Sequence, residues 1–295
     1  MKNPSLSEKY KPKLRTADEA VRMIGAGQRV FIGSSCGEPQ HLINALMDNA
    51  EHFFDVEIVR LLSLESSLLA LMADEYKGRR FHVRSIYQGS DQTKGLRANR
   101  RFITPLTLSA VPGLFRKGLL PLHFALIQVS PPDDNGWMSL GISVDVTQAA
   151  AQSAATVIAQ VNPNMPMVQG HTFIHLDEVD IIVEKEEELL SPYDLPDYES
   201  ADDIAAITAT LVDDGSTLQL GLAELTKPIA RALAEKNDIG VHTEILTDDL
   251  MELLLKGVVT NHLKSQDEGK LSASSAIGSK QLYQSLHNNP ALAFR

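Results

Sequence analysis

One cysteine, Cys36, stands in the whole chain, so no intramolecular disulfide can staple the fold. No stretch reaches the roughly eighteen consecutive apolar residues that a membrane-crossing helix needs. The first residues, Met1 to Arg15, are rich in lysine but interrupted by Pro4, Glu8 and Pro12. They lack the apolar centre of a secretory signal, and we read them as an ordered or frayed arm. Basic charge is also scarce: 27 Lys and Arg stand against 38 Asp and Glu, a formal net charge of −11. A phosphate-tracking surface needs clustered cations to replace counterions, so nucleic acid is not an expected partner. These shortages describe a cytoplasmic chain with no membrane association. There is no internal repeat and no low-complexity tract.

What is present is an ordinary globular composition, 43% hydrophobic and 22% charged. A chain of 295 residues exceeds the usual single-domain size, which favours two α/β units. Short β-branched runs alternate with helix-like stretches, the pattern of parallel βαβ units. Val30 to Gly33, Val56 to Leu62, Phe81 to Tyr87, Phe124 to Val129, Val157 to Val161 and Val179 to Val183 read as strands. Asp18 to Ile24, Gln40 to Asn49, Ser66 to Met72, Ser109 to Lys117 and Val144 to Gln152 read as helices between them. A charged, proline-punctuated stretch, Glu184 to Pro196, suits a domain connection. The expected architecture is therefore α/β: an open, mostly parallel sheet with helices on both faces over residues 1–198, then an incomplete second α/β domain over residues 199–295. In the latter, Asp202 to Val212, Leu225 to Ala234, Thr247 to Lys256 and Lys280 to His287 read as helices. Thr217 to Leu220 and Ile239 to Thr243 read as its only two strands.

The most informative stretch is Gly240-Val241-His242-Thr243-Glu244, just after the glycine-turned loop Gly221-Leu222-Ala223-Glu224-Leu225. An extended run that ends in an acid and meets a helix puts a carboxylate at the carboxyl end of a strand, where open α/β sheets present their chemistry. Such a carboxylate can form covalent acyl intermediates, which nominates Glu244 as a nucleophile. His242 shares its strand face by the period of two; it either orients the carboxylate or, the commoner case, packs and hydrogen-bonds structurally. Gly33 to Pro39 follows the first strand and precedes a helix, so it is either a substrate-facing loop with amides at a helix start or a plain turn. Within it Cys36 has no base nearby in sequence and reads as a small buried residue. His171, His175 and Asp177 lack the HExxH pattern or a cysteine partner, so no metal is expected there. Gly25-Ala26-Gly27 precedes a strand instead of following one, which is the wrong order for a dinucleotide fingerprint.

Many ordered stretches carry a family resemblance: Gly37-Glu38-Pro39, Val129 to Asp133, Asn135-Gly136, Ser139-Leu140-Gly141, Val161-Asn162 with Met165-Pro166, Gly215 to Gly221, His242-Thr243-Glu244 and Asn289-Pro290. Through them the chain resembles the acetyl-CoA hydrolase/transferase family, the class I coenzyme A transferases such as 4-hydroxybutyrate CoA-transferase. The resemblance implies a CoA-transferase that moves CoA between short-chain acyl-CoA and carboxylic acids by ping-pong kinetics, through a thioester on Glu244. Its alternatives are an acyl-CoA hydrolase on the same scaffold, and a non-catalytic CoA-binding subunit that needs a partner. It also implies that Gly221, Leu222, Ala223, Glu224 and Leu225 form a CoA-contacting loop, although Ala223 and Glu224 stand where relatives commonly carry glycine. No permanently bound cofactor is implied: CoA and acyl-CoA are substrates, and a homodimer is a candidate assembly. The basic cluster Lys94, Arg97, Arg100 and Arg101, with Arg100 foremost, either meets a substrate carboxylate or CoA phosphate or serves surface ion pairing. Family members continue through a longer second half, so this chain reads as truncated or naturally split.

Overall fold

A computed structural model describes residues 4–62, 80–86, 101–191, 199–221 and 223–295. The expected helix Ser66 to Met72, together with Lys94, Arg97, Arg100, Leu222 and the proline-punctuated end of the connector, residues 192–196, lies outside the described residues. Two compact units emerge: Met1–Met167 with Phe173–Leu190, and Val168–Thr172 with Ser191–Arg295.

The first unit is built on seven described strands: β1 (Arg29–Ile32), β2 (Val56–Arg60), β3 (Phe81–Ser85), β4 (Arg101–Ile103), β5 (Leu122–Val129), β7 (Ala154–Val161) and β9 (Ile181–Glu184). Their order is β4-β3-β2-β1-β5-β7-β9, and every pairing is parallel. The chain winds outward in one direction from β1 to β4 and in the other from β5 to β9. The order therefore reverses between β1 and β5, and open α/β sheets bind ligands at the carboxyl ends of strands at such a switch point.

Strand side chains alternate between two covered faces. Val30 and Ile32 join a core with Ala20 and Val21 of α2 (Ala17–Val21) and with Leu42, Ile43 and Leu46 of α3 (Gln40–Asp48). Phe31, between them, points the other way and meets Phe115 of α4 (Val111–Arg116) edge-on at 5.8 Å. On that same side α5 (Thr147–Ser153) packs on β5 and β7. The sequence pattern's expectation of helices on both faces holds here. It holds because strands buried on two faces must be apolar at successive positions, as in β5, where only His123 is exposed. Each such Val, Leu or Ile stabilises the fold by about 1.5–3 kcal/mol through its burial. A reciprocal capping box starts α2, with Glu19 N–H donating to Thr16 Oγ1 at 3.2 Å and Thr16 N–H to Glu19 Oε2 at 2.9 Å.

From Pro4 onward the N-terminal arm is ordered. Helix α1 (Pro4–Tyr10) ends on a buried tyrosine whose hydroxyl donates to Glu184 Oε1 at 2.8 Å. Burial, then the Glu184 carboxylate, pushes the Tyr10 hydroxyl pKa upward. Lys13 Nζ donates to the carbonyls of Leu176 and Val179, and Leu14 bridges to Ile182, so the arm lies along β9. Three features go unmarked in the sequence pattern: β4, and the antiparallel pair β6 (Trp137–Ser139) and β8 (Phe173–His175). Each is three residues long, too short for a period of two to register.

The second unit has six described strands where the sequence pattern predicts two. β10 (Thr217–Leu218) pairs with β11 (Gly240–Val241), β12 (Ile245–Leu246) with β14 (Ser275–Ala276), and β13 (Leu271–Ala273) with β15 (Leu292–Phe294), all in parallel. A single bridge from His242 to Ser272 links the first and third pairs, and another joins Gly170 to Phe294 of β15. The surplus strands are two or three residues long, and β13 and β14 lie in a serine-rich run. Four described helices accompany them: α6 (Ala201–Thr210), α7 (Thr226–Ala232), α8 (Asp248–Leu255) and α9 (Lys280–Leu286). All four fall where the pattern predicts helices: α6 starts one residue earlier and ends two earlier, and the other three are trimmed by one to three residues.

Candidate active site

Glu244 occupies the bend between β11 and β12, so the strand changes partner at this residue: before it the chain pairs with β10, after it with β14. Alternation exposes His242 and Glu244 and buries Val241, Thr243 and Ile245. The backbone of Glu244 is held from the opposite strand, where its carbonyl accepts from Ser274 N–H at 3.1 Å, Ser275 N–H at 3.0 Å and Ser274 Oγ at 2.9 Å. An exposed carboxylate thus stands on a backbone with little freedom. The two serines were not foreseen; the serine-rich run Ser272 to Ser275 was the available signal, but only tertiary folding puts it beside Glu244.

The Gly221 loop and Glu244 are brought together by Thr243. Its hydroxyl donates to Leu220 O at 2.6 Å, and His242 N–H donates to Leu218 O at 2.9 Å. The residue before Glu244 is therefore tied to the residue before Gly221. Beyond it, the Gly221 carbonyl accepts from Thr226 Oγ1 at 2.5 Å and the Ala223 carbonyl from Thr226 N–H at 3.0 Å, which fixes the loop to the first turn of α7. Gly221, Ala223 and Glu224 are exposed and Leu225 half-buried. A side chain at Gly221 would meet nothing within 4 Å among the described residues beyond its chain neighbours, so one side of the loop is open there.

In the first unit, the loop from β1 to α3 lies at the switch point and is buried from Ser34 to Glu38. Gly37 N–H donates to Ser143 Oγ at 3.2 Å, and a Cβ on Gly37 would press on Ser143 Cβ at 2.7 Å. Gln128 Nε2 donates to the carbonyls of Gly37 and Glu38, while its Oε1 accepts from Gln160 Nε2 and Asn162 Nδ2. Gln160 and Asn162 reach onward to Glu187. Ser34 Oγ donates to Asp145 Oδ2, whose partner oxygen accepts from Thr147 N–H and Oγ1. Desolvation pushes the carboxyl pKa of the half-buried Asp145 up, against those hydrogen bonds. Of these anchoring residues the sequence marks Ser34, within the strand-end loop, and Asn162, within a family-like stretch; the strand-interior glutamines and Asp145 carry no local signature. Cys36 is buried, in line with its expected role as a small packed residue.

The remaining candidates have structural occupations. His175 Nδ1 accepts from Asp177 N–H at 3.2 Å and its Nε2 meets Asn135 O at 3.0 Å, with the ring edge-on to Trp137. Asp177 pairs with Lys9, the interaction that most lowers its carboxyl pKa. His171 N–H donates to Phe294 O at 2.7 Å. Gly25 N–H donates to Gln28 Oε1, and Gly27, at φ +70°, makes a turn into β1. Arg101 contributes its backbone to β4.

Comparison with known proteins gives a consistent answer. The model of the acetyl-CoA hydrolase/transferase N-terminal domain matches residues 1–192. The chain is 38% identical over 285 residues to 4-hydroxybutyrate coenzyme A transferase of Clostridium kluyveri, covering 96% of this chain and 65% of that protein. It is 32% identical to a succinyl-CoA:acetate/propanoyl-CoA:succinate CoA transferase of Fasciola hepatica, covering 92% of this chain and 57% of that one. Among solved structures it resembles RipA of Yersinia pestis, with a TM-score of 0.89 at 30% identity over 98% of this chain and 69% of that one. The 4-hydroxybutyrate CoA-transferase of Porphyromonas gingivalis matches with a TM-score of 0.82 at 30% identity, over 98% of this chain and 68% of the other. The chain thus spans 65% and 57% of the lengths of these two curated relatives.

Proposed function

The chain belongs to the acetyl-CoA hydrolase/transferase family, and on that premise we propose that it is a CoA-transferase acting on short-chain acyl-CoA and carboxylic acids, with Glu244 as the covalent nucleophile. The observation that carries this reading is the exposed carboxylate at a strand end, on a backbone held by Ser274 and Ser275 and tied through Thr243 to the Gly221 loop. The names of the relatives, all CoA-transferases, support the same chemistry.

A carboxylate is a weak nucleophile in water, but a thioester is an activated acyl donor, and holding the two together removes much of the entropic barrier. Glu244 Oε attacks the thioester carbonyl; the C–S bond breaks, leaving an acyl-glutamyl anhydride and CoA thiolate. The thiolate attacks the glutamyl carbonyl and expels the donor acid as a carboxylate, leaving a glutamyl-CoA thioester. An acceptor carboxylate then attacks that thioester, and the released thiolate takes the acceptor acyl group, returning Glu244 as a carboxylate. No net proton is needed at any step. Each tetrahedral intermediate places charge on an oxygen, and an aimed N–H donor contributes roughly 3 kcal/mol there. In this reading the loop of Gly221, Leu222, Ala223, Glu224 and Leu225 contacts CoA, its open side at Gly221 giving the backbone room to be approached. Coenzyme A is a substrate, with no resident cofactor.

Intact-mass measurement after incubation with acetyl-CoA, followed by digestion, tests the assignment. The expected result is a CoA adduct on Glu244 that vanishes in Glu244→Ala, with thermal stability unchanged to within about 0.5 kcal/mol because the side chain is exposed. An adduct on another residue, or one that survives the substitution, sinks the covalent-glutamate mechanism. CoA release without any acceptor acid would instead favour the hydrolase.

A further inference from the structure

Val241, three residues before Glu244, has an unusual pair of neighbours. On one flank its strand is regular, with Gly240 and His242 N–H donating to Ser216 and Leu218 carbonyls at 2.9 Å each. On the other flank Val241 is met by side chains: its N–H donates to Asn261 Oδ1 at 2.9 Å and its carbonyl accepts from Lys264 Nζ at 2.8 Å. One turn, Thr260 to Lys264, thus supplies both partners that an adjacent strand residue would supply. Strand contact resumes two residues later, where Thr243 N–H donates to Ser272 O at 2.9 Å. The turn is a wedge driven between β11 and β13 just ahead of Glu244.

Both side chains are buried, Asn261 at 0% and Lys264 at 6% exposure. Asn261 sits at φ +61° and accepts Gly269 N–H on its carbonyl at 2.9 Å, which closes the turn. The Lys264 ammonium also donates to Lys270 O at 2.6 Å and Ser272 Oγ at 3.0 Å, and the Ser272 hydroxyl in turn donates to Asp267 Oδ2 at 2.8 Å. Its stem lies on Gly240, where a Cβ would approach Lys264 Cγ to 2.6 Å. A buried ammonium is unfavourable unless its donors are satisfied, and a hydrocarbon side chain would fill the same space without that requirement. What the charge adds is three directed bonds that cross-link β11, the 265–270 loop and β13. Those segments lead directly to Glu244 and to the serines that hold its carbonyl.

We propose that Asn261 and Lys264 are positioning residues that set where Glu244 emerges from its strand, a reading that rests on Glu244 being the nucleophile. The test compares wild type with Lys264→Met, Asn261→Leu and the conservative Asn261→Asp, which keeps an oxygen on Val241 N–H. Two readouts are taken: amide hydrogen exchange over residues 239–246 and 271–276, and the rate of CoA adduct formation on Glu244 with acetyl-CoA. The expected result is folded variants in which exchange at Val241 and Thr243 quickens about tenfold or more in Lys264→Met and Asn261→Leu, while the first unit is unchanged. Adduct formation at saturating acetyl-CoA should slow about ten- to hundredfold in both, with the half-saturating concentration unaltered and Asn261→Asp near wild type. Unchanged exchange, unchanged adduct rate, or collapse of the whole second unit in Lys264→Met would overturn it, the last by assigning the lysine to bulk stability alone. If wild type itself forms no adduct, the nucleophile reading fails separately, and exchange alone decides whether the wedge holds the strand.

Discussion

At the scale of single residues, the informative ones are polar groups in places that burial makes costly. Asp145 is the clearest: burial raises its carboxyl pKa although Ser34 and Thr147 donate to it. A carboxyl whose folded pKa lies above its unfolded value, about 3.9, contributes stability that is complete below that value. The contribution is lost as pH rises through the folded pKa. Asp145→Asn keeps an oxygen toward Thr147 and removes the charge, so its denaturant midpoint relative to wild type should climb with pH from about 4 upward and then level off. Midpoint curves that stay parallel across that range would show that Asp145 does not titrate in this way. Gly221 makes the opposite case. It has no positive φ and open space around it, so Gly221→Val should leave stability within about 0.5 kcal/mol. If the loop contacts CoA, the same change should raise the apparent KM for acyl-CoA about tenfold, read by steady-state kinetics. An unchanged KM would remove Gly221 from the binding loop. Neither Asp145 nor the wedge residue Lys264 announces itself in sequence, because a lone acid or lysine becomes unusual only once it is buried.

At the scale of elements, those that sit in a long patterned run were legible and those without one were not. β5 and β7 are eight residues each, long enough for continuous apolar character to identify them. Of the two-residue strands, β10 and β11 lie inside longer extended runs, Thr217 to Leu220 and Ile239 to Thr243, which the pattern marks, whereas β12 and β14 are defined by their partners instead of by any internal pattern. The loops between elements follow the same logic. The β1–α3 loop was legible as a strand-end loop, but its rigidity comes from Gln128, Ser143 and Asp145, about a hundred residues downstream. Gly170 gives an element-scale prediction. It stands at φ +120° against Phe294, beside whose backbone no Cβ has room. Gly170→Ala should therefore destabilise the β13–β15 pair by about 2–4 kcal/mol, from lost space and an unfavourable backbone together. Urea denaturation followed by hydrogen exchange at residues 292–294 would check it, and a loss below about 0.5 kcal/mol would mean that the backbone can move aside.

At the scale of the whole molecule, charge decides how an anionic substrate arrives. With a formal −11, the chain should repel the phosphates of CoA at long range, and salt screens that repulsion within about 10 Å at 0.1 M. The association rate of CoA, followed by stopped flow, should then rise as ionic strength increases from about 10 to 100 mM. A falling rate would show that a local basic patch, of which Lys94 to Arg101 is the candidate, outweighs the net charge. The sequence by itself determined the class of fold, because apolar runs of strand length alternating with helical stretches can bury their faces only as covered parallel layers. It also nominated Glu244, through ordered motifs and a place at a strand end. Only the tertiary structure decided what holds the backbone at and before Glu244: Ser274, Ser275, Thr243, Asn261 and Lys264 make hydrogen bonds whose partners are mostly about twenty to thirty residues away. Hydrogen bonds depend on distance and direction in space, and the order of residues along a chain specifies neither until the chain has folded.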